Sequence, residues 1–164
     1  MVKHGFQKVF GTDTNPNAIV GMAEFMGSTK LSRKIELDFG HLFGRWKKQT
    51  ELIVFNPPWL PELANLDSTE DDAIYYNEKL FSDFFEEAKQ RLLPDGKLVL
   101  LFSNLTKITN VTEDHPIENE LSNGGRFQLE KCLKKNVKPA SSKTKREQHW
   151  RSFEVVELWV LKNL

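Results

Sequence analysis

With 164 residues, and 23 lysines and arginines balanced by 23 aspartates and glutamates, the chain can bury one sizeable core, and it has no net charge to single out a highly charged partner. Aromatic residues make up 11%, which excludes a disordered composition, and the lone cysteine, Cys132, excludes a disulfide framework or a cysteine-rich zinc site. Residues 1–10 include Lys3, His4 and Lys8 without a long apolar core, and no run approaches the ~20 apolar residues of a membrane helix, so a cytoplasmic protein with no membrane partner is expected.

In chain order, Lys8–Thr12 reads as a short strand ending at Asp13. Asn15 suits a helix cap and Pro16 a first helical position, and the apolar face Ala18, Ile19, Met22, Ala23, Phe25, Met26 predicts a helix ending near Gly27. Lys34–Phe39 alternates like a strand, and Glu51–Phe55 is almost wholly apolar, as in a strand covered on both faces. A polar loop over 62–72 precedes a helix predicted from Ile74 to Leu93, stopped by Pro94. Asp95-Gly96 makes a turn into a strand from Lys97 to Phe102. His115–Asn123 reads as a short helix ended by Gly124-Gly125. Phe127–Val137 and Phe153–Leu161 read as strands joined by KPASSKTKREQHWR, the one basic cluster. Strands alternating with helices and closed by a hairpin imply a single α/β domain over 1–164: a three-layer sandwich, its sheet mostly parallel with an antiparallel C-terminal hairpin. Ligands of such sheets bind at the carboxyl ends of the strands, where Asp13, Asn56 and Ser103-Asn104 fall.

Within LIVFNPPWLP, residues 52–61, an apolar strand runs straight into Asn56-Pro57-Pro58-Trp59. A residue before proline is held extended, so Asn56 continues the strand past the sheet edge. The two prolines fix φ and offer carbonyls without competing N–H groups. This stiff turn presents two acceptors, the Asn56 amide oxygen and the Pro57 carbonyl, suited to the two hydrogens of a planar –NH₂ group. Gripping both orients that nitrogen and frees its lone pair, while Trp59 supplies a stacking face. The competing reading is a rigid loop without a ligand, with Trp59 as core and Asp13 as a turn residue.

Asn-Pro-Pro-Trp after an apolar strand resembles the amine-binding signature of class I S-adenosylmethionine-dependent methyltransferases, in the branch that methylates adenine amino groups or protein glutamines. VFGTDTNPNAI resembles that family's second strand, LLPDGKLVLLFSN its helix–turn–fifth strand, and the last two strands its closing hairpin. The resemblance implies a Rossmann-like fold and S-adenosylmethionine as methyl donor. It also implies Asp13 and Asn15 at the donor ribose, Asp38 or His41 near the donor adenine, and Asn56 facing both donor and substrate. Asn56, Pro57 and Trp59 would form the catalytic turn, acting on a protein, RNA or DNA substrate. In this family a first strand and a glycine-rich loop precede the Asp13 strand. The nine glycines here include no such cluster. An N-terminally truncated fragment is therefore expected. Strands 8–12 and 51–55 are then expected to pair directly with each other, or else to be covered in a homo-oligomer through the exposed sheet edge. A non-catalytic α/β interaction module or inactive remnant is the alternative reading.

Other candidates are weaker. His4, His115 and His149 are scattered, with no metal-ligand spacing, and no metal is expected. Ser103 has no recognisable His/Asp partners. Lys143, Lys145, Arg146 and Arg151 read either as a phosphate contact or as a solvated loop.

Overall fold

A computed structural model describes residues 5–29, 31–62, 75–138 and 152–164. The basic linker and nearly all of the 62–72 loop lie outside them. The chain divides into two compact units, residues 1–48 and 49–164.

The first unit is a βαβ crossover. Strand β1 (Val9–Asp13) and strand β2 (Ile35–Phe39) pair in parallel, Val9 opposite Ile35 through Asp13 opposite Phe39. Helix α1 (Pro16–Thr29) forms the connection. It begins where the residues predict. The Asn15 side-chain oxygen accepts the Asn17 N–H at 2.9 Å, and Pro16, which lacks an N–H, takes the first position.

The second unit holds the large sheet, in the order β3–β6–β8–β7. Strand β3 (Thr50–Phe55) pairs in parallel with β6 (Leu92–Ser103), while β8 (Val155–Asn163) runs antiparallel both to β6 and to β7 (Phe127–Asn136). The closing hairpin is as expected, but it makes up half of this sheet, which is mixed rather than mostly parallel. A second parallel ladder, β4 (Leu60–Pro61) on β5 (Tyr75–Tyr76), follows the Asn-Pro-Pro-Trp turn.

Helix α2 (Leu80–Arg91) packs Phe81, Phe84, Phe85 and Ala88 into the core, with Phe81 edge-on to Phe102 of β6 and Phe85 against Phe127 of β7, where Leu98, Leu100, Trp159 and Leu161 are buried as well. It starts later than its periodicity predicts. Tyr75-Tyr76 are taken into a ladder, and the Asn77 side chain accepts the Lys79 N–H at 3.0 Å, a local turn that competes with helix. Leu92 turns extended two residues before Pro94, and Gly96 folds so closely that a Cβ there would meet the Leu93 carbonyl at 2.9 Å. Helix α3 (Leu105–Ile108) follows β6 and packs on β4. Helix α4 (Pro116–Asn119) is capped by the His115 side chain and passes into a π turn, Glu120–Gly124, closed by Gly125 at φ 66°.

Among the described residues, the ladder expected between 8–12 and 51–55 is not one of those formed. β1 takes β2 as its ladder partner and β3 takes β6. A parallel pair needs a crossover connection, and α1 and α2 supply one inside each unit, so each strand finds its parallel partner across its own helix. Among the described residues β3 remains an edge strand, with Val54 54% exposed.

Candidate functional site

In the first unit the carboxyl ends of β1 and β2 bring together Asp13, Asn15, Asp38 and His41. The Gly40 N–H donates to the Asp13 carbonyl at 3.1 Å, tying the two loops. One Asp13 carboxylate oxygen, Oδ1, accepts the Asn15 N–H at 2.8 Å, and the side chain is exposed. Its second oxygen has no partner among the described residues and is open to a hydroxyl donor. Asp38 is differently placed. Its half-buried carboxylate accepts the Arg45 N–H at 3.0 Å and pairs with the Arg45 guanidinium at 3.2 Å. The loop that this bond closes has two residues in the left-handed region, Leu42 (φ 49°) and Gly44 (φ 51°), and the Thr12 hydroxyl donates to the Leu42 carbonyl. A Cβ at Gly44 would lie 2.5 Å from the Asp38 carboxylate, so this loop requires glycine there. Asp38 thus spends its oxygens holding the loop, and His41 is exposed at its tip.

In the second unit the turn 56–59 leaves the carboxyl end of β3. Asn56 is exposed, and its side chain bonds to no described residue; Pro57 is buried, and Pro58 and Trp59 are half-buried. The rigid backbone is anchored and its first side chain is free, which is what presentation of an acceptor requires. The Trp59 indole N–H is buried and has no partner among the described residues. Behind the turn, Phe55 stacks on Phe84 of α2 with centroids 4.0 Å apart, fixing the strand from which Asn56 emerges. Ser103, at the end of β6, is buried and donates to the buried Glu154 at 3.2 Å, while the Asn104 side chain accepts from Val155 N–H at 2.8 Å and donates to the Phe153 carbonyl at 3.2 Å. Both residues are used to lock β6 to the start of β8.

Sequence reasoning missed Tyr76 and the buried carboxylates. The Tyr76 ring lies edge-on to Phe81 at 4.9 Å, and burial, followed by the negative charge of Asp114, pushes its hydroxyl above the usual tyrosine range. Its β-favouring Tyr-Tyr context was the available signal, overridden by the helical period that follows. Glu157 is 4% exposed in the middle of β8 and accepts from His115 Nε2 (3.1 Å), Trp159 Nε1 (3.0 Å) and Lys134 Nζ (2.7 Å). Burial alone would raise its pKa; the bonds and charges of His115 and Lys134 outweigh that and bring it down to about 2. His115 Nδ1 accepts the Glu118 N–H, so the neutral ring carries its proton on Nε2, toward Glu157. This cluster joins α4 to the hairpin and is structural. No group of metal-ligand residues occurs among the described residues, and no described helix is long and apolar enough to cross a membrane.

No protein family matches this sequence, and no curated protein does. Solved structures do match its fold. TrmN from Thermus thermophilus shares 16% identity at a TM-score of 0.57, over 96% of this chain and 36% of its own. An rRNA methylase from Streptococcus thermophilus shares 13% at 0.59, over 96% and 76%. The ribosomal protein L11 methylase from Lactobacillus delbrueckii subsp. bulgaricus shares 15% at 0.59, over 99% and 62%. The chain thus spans about a third of the length of TrmN and three-fifths of that methylase. Structures of similar fold were solved with SAH and with adenosine bound. The chain has the α/β fold of these methyltransferases.

Proposed function

We propose that this chain is part of an S-adenosylmethionine-dependent N-methyltransferase acting on a planar amino or amide nitrogen, of a protein glutamine or of a nucleic-acid base. The observation that carries the reading is the free Asn56 side chain on an anchored Asn-Pro-Pro-Trp turn at the carboxyl end of a strand in a methyltransferase fold.

Asp13 fits the donor: with one carboxylate oxygen committed to Asn15 and the other free, it can accept from a ribose hydroxyl. Asn15 holds that carboxylate and caps α1, so it positions the ligand contact. Asp38 acts at one remove, by fixing the loop that carries His41. S-adenosylmethionine supplies an electrophilic methyl group on a sulfonium. This chain's residues position its acceptor: Asn56 Oδ1 and the Pro57 carbonyl accept the two N–H hydrogens and turn the nitrogen lone pair out of conjugation, while the Trp59 ring bears the planar group. No protein nucleophile is required. The work is cytoplasmic, and the open edge of β3 is a surface through which a further copy can pair.

Calorimetry with S-adenosylmethionine tests the donor half. In the absence of a glycine cluster, binding weaker than micromolar is expected, and Asp13→Ala should weaken it by about 1–3 kcal/mol, the range for hydrogen bonds to a charged group. Tight binding would show that the donor is held without a glycine cluster, and an unchanged affinity in the variant would remove Asp13 from the site.

A further inference from the structure

The large sheet of the second unit has two unlike faces. Side chains alternate across a strand, and residues opposite each other in a ladder share a face. One face carries Ile53, Leu98, Leu100, Phe102, Trp159 and Leu161, each 7% exposed or less. Helix α2 packs there, with Phe84 on Phe55 and Phe81 on Phe102, and His115 at the start of α4 lies against Phe102 and Trp159. The other face is as apolar but far less covered. Its register rows run Val54–Val99–Val160 and Leu101–Leu158–Leu133. Val54 is 54% and Leu133 46% exposed, and the other four are half-buried.

A contiguous block of aliphatic side chains in register marks an interaction surface, unlike apolar residues scattered singly. The charges around the block say what fits it. Lys97 and Lys162 face each other at one end, and both reach Glu130, at 2.6 and 4.0 Å. Lys131, opposite Val160, and Lys135, opposite Val156, line the block along β7 and pair with no described residue. Apart from Glu130, every charged residue that the ladders place on this face is a lysine. A second copy laid face to face would set the patch against itself, lysines toward lysines, which opposes association. A partner with acidic residues beside an apolar stripe gains on both counts. A helix suits the shape. About 10 Å across, it covers two strand spacings of about 4.8 Å, the width of the Val54–Val99–Val160 row.

We propose that this face docks an amphipathic helix of a partner protein, its apolar stripe on Val99, Leu101, Leu158 and Val160, and acidic residues on its flank reaching Lys131 and Lys135. The surface is distinct from the Asn-Pro-Pro-Trp turn and from the backbone edge of β3, so the proposal does not rest on the methyl-transfer reading.

The test is an NMR titration of the whole chain, followed at the valine and leucine methyl signals. The probes are two synthetic helical peptides with leucines at i, i+3, i+4 and i+7, one flanked by glutamates and the other by lysines, and vesicles of phosphatidylserine. The glutamate peptide should shift Val99, Leu101, Leu158 and Val160 and bind more tightly than the lysine peptide by about 3- to 10-fold, the effect of two exposed ion pairs. The double variant Lys131→Glu, Lys135→Glu lies on an exposed edge strand. It should reverse that preference while the core signals of Leu98 and Leu161 stay in place. Equal binding of the two peptides, or a preference that survives the double variant, overturns the acidic partner. Failure of the glutamate peptide to shift these four residues overturns the docking surface. Shifts of the same methyls on raising the protein concentration alone would make the occupant a second copy, and shifts with vesicles but not with the peptide would make it a lipid surface; either result overturns the proposal.

Discussion

The two units differ in how much apolar surface each covers. Residues 49–164 enclose a dense core in which Phe85 is 1% exposed and Ala88, Leu98, Leu100, Phe102, Ile117 and Leu161 are fully buried. Residues 1–48 contribute one buried hydrophobic residue, Met26, among those described, and leave Val20, Phe25 and Phe39 more than half exposed. The donor-side candidates, Asp13 and Asn15, thus sit on a lightly packed crossover, and the acceptor-side candidates, Asn56, Pro57 and Trp59, on a well-packed sheet. The turn proposed to hold the acceptor is thus mounted on a packed sheet, whereas the residues proposed for the donor rely on local side-chain-to-backbone bonds within their loops.

The sharpest way to break this contrast is a pair of core truncations. Phe85 touches Phe81, Phe84 and Phe127, so Phe85→Ala should cost about 3–5 kcal/mol in urea unfolding. Met26→Ala, with far less packed around it, should cost about 2 kcal/mol or less and should speed amide exchange in β1 and β2 without touching β6 and β8. Equal costs, or faster exchange in β6 and β8 on Met26→Ala, would show that the two units open as one and that the contrast has no energetic meaning.

Most elements were legible because local pattern and tertiary demand agree. The alternation of β2, the capped start of α1, the apolar run of β3 and the closing hairpin lie within two residues of expectation. The failures have physical causes. The start of α2 was overextended because Tyr75-Tyr76 fits a helical period yet pairs with Leu60-Pro61, a contact between residues 15 apart that no local pattern encodes. The partners of β1 and β3 were misjudged because a missing neighbour was inferred from family likeness, while the crossovers actually present decide which strands meet. Among the candidate residues, the helix-capping place of Asn15 was readable from turn chemistry. Asp38 was not, because the Arg45 N–H that occupies it depends on two left-handed residues in the intervening loop. Glu157 was invisible because a glutamate in a strand looks like a surface residue until Lys134, His115 and Trp159 are brought around it.

The second unit's reliance on buried polar contacts offers a smaller and pH-dependent test. The folded pKa of Glu157, about 2, lies below its ordinary value of 4.5. The group therefore contributes stability that is fully present above about pH 4.5 and is lost as pH falls through about 2. The shift corresponds to roughly 3 kcal/mol at neutral pH. Glu157→Gln should lose about that much at pH 7, and its unfolding free energy should vary less than wild type's between pH 4.5 and 2. Parallel pH profiles for the two proteins would mean that the carboxylate is not the group holding α4 to the hairpin, and the buried His115–Glu157 bond would have to be reassigned.

The smallest stability effect is expected where the proposed function is most concentrated. Asn56 lies at the end of the best-packed parallel ladder, yet its side chain is exposed and bonds to no described residue. The rigidity of the turn comes from elsewhere: Pro57 and Pro58 fix φ, Pro57 is buried, and Phe55 is stacked on Phe84. Asn56→Ala should therefore change stability by no more than about 0.5 kcal/mol, the usual range for a surface substitution. The same variant should lose benzamide binding at the turn, because it removes one of two acceptors that grip a single –NH₂ group and leaves one hydrogen unpaired. A side chain that was merely part of a structural loop would show the opposite pattern, a measurable loss of stability with the weak probe affinity retained. Stability and binding measured on this one variant thus separate an amine-presenting turn from a rigid connection, and a loss above about 1 kcal/mol with binding intact would leave Asn-Pro-Pro-Trp as scaffold.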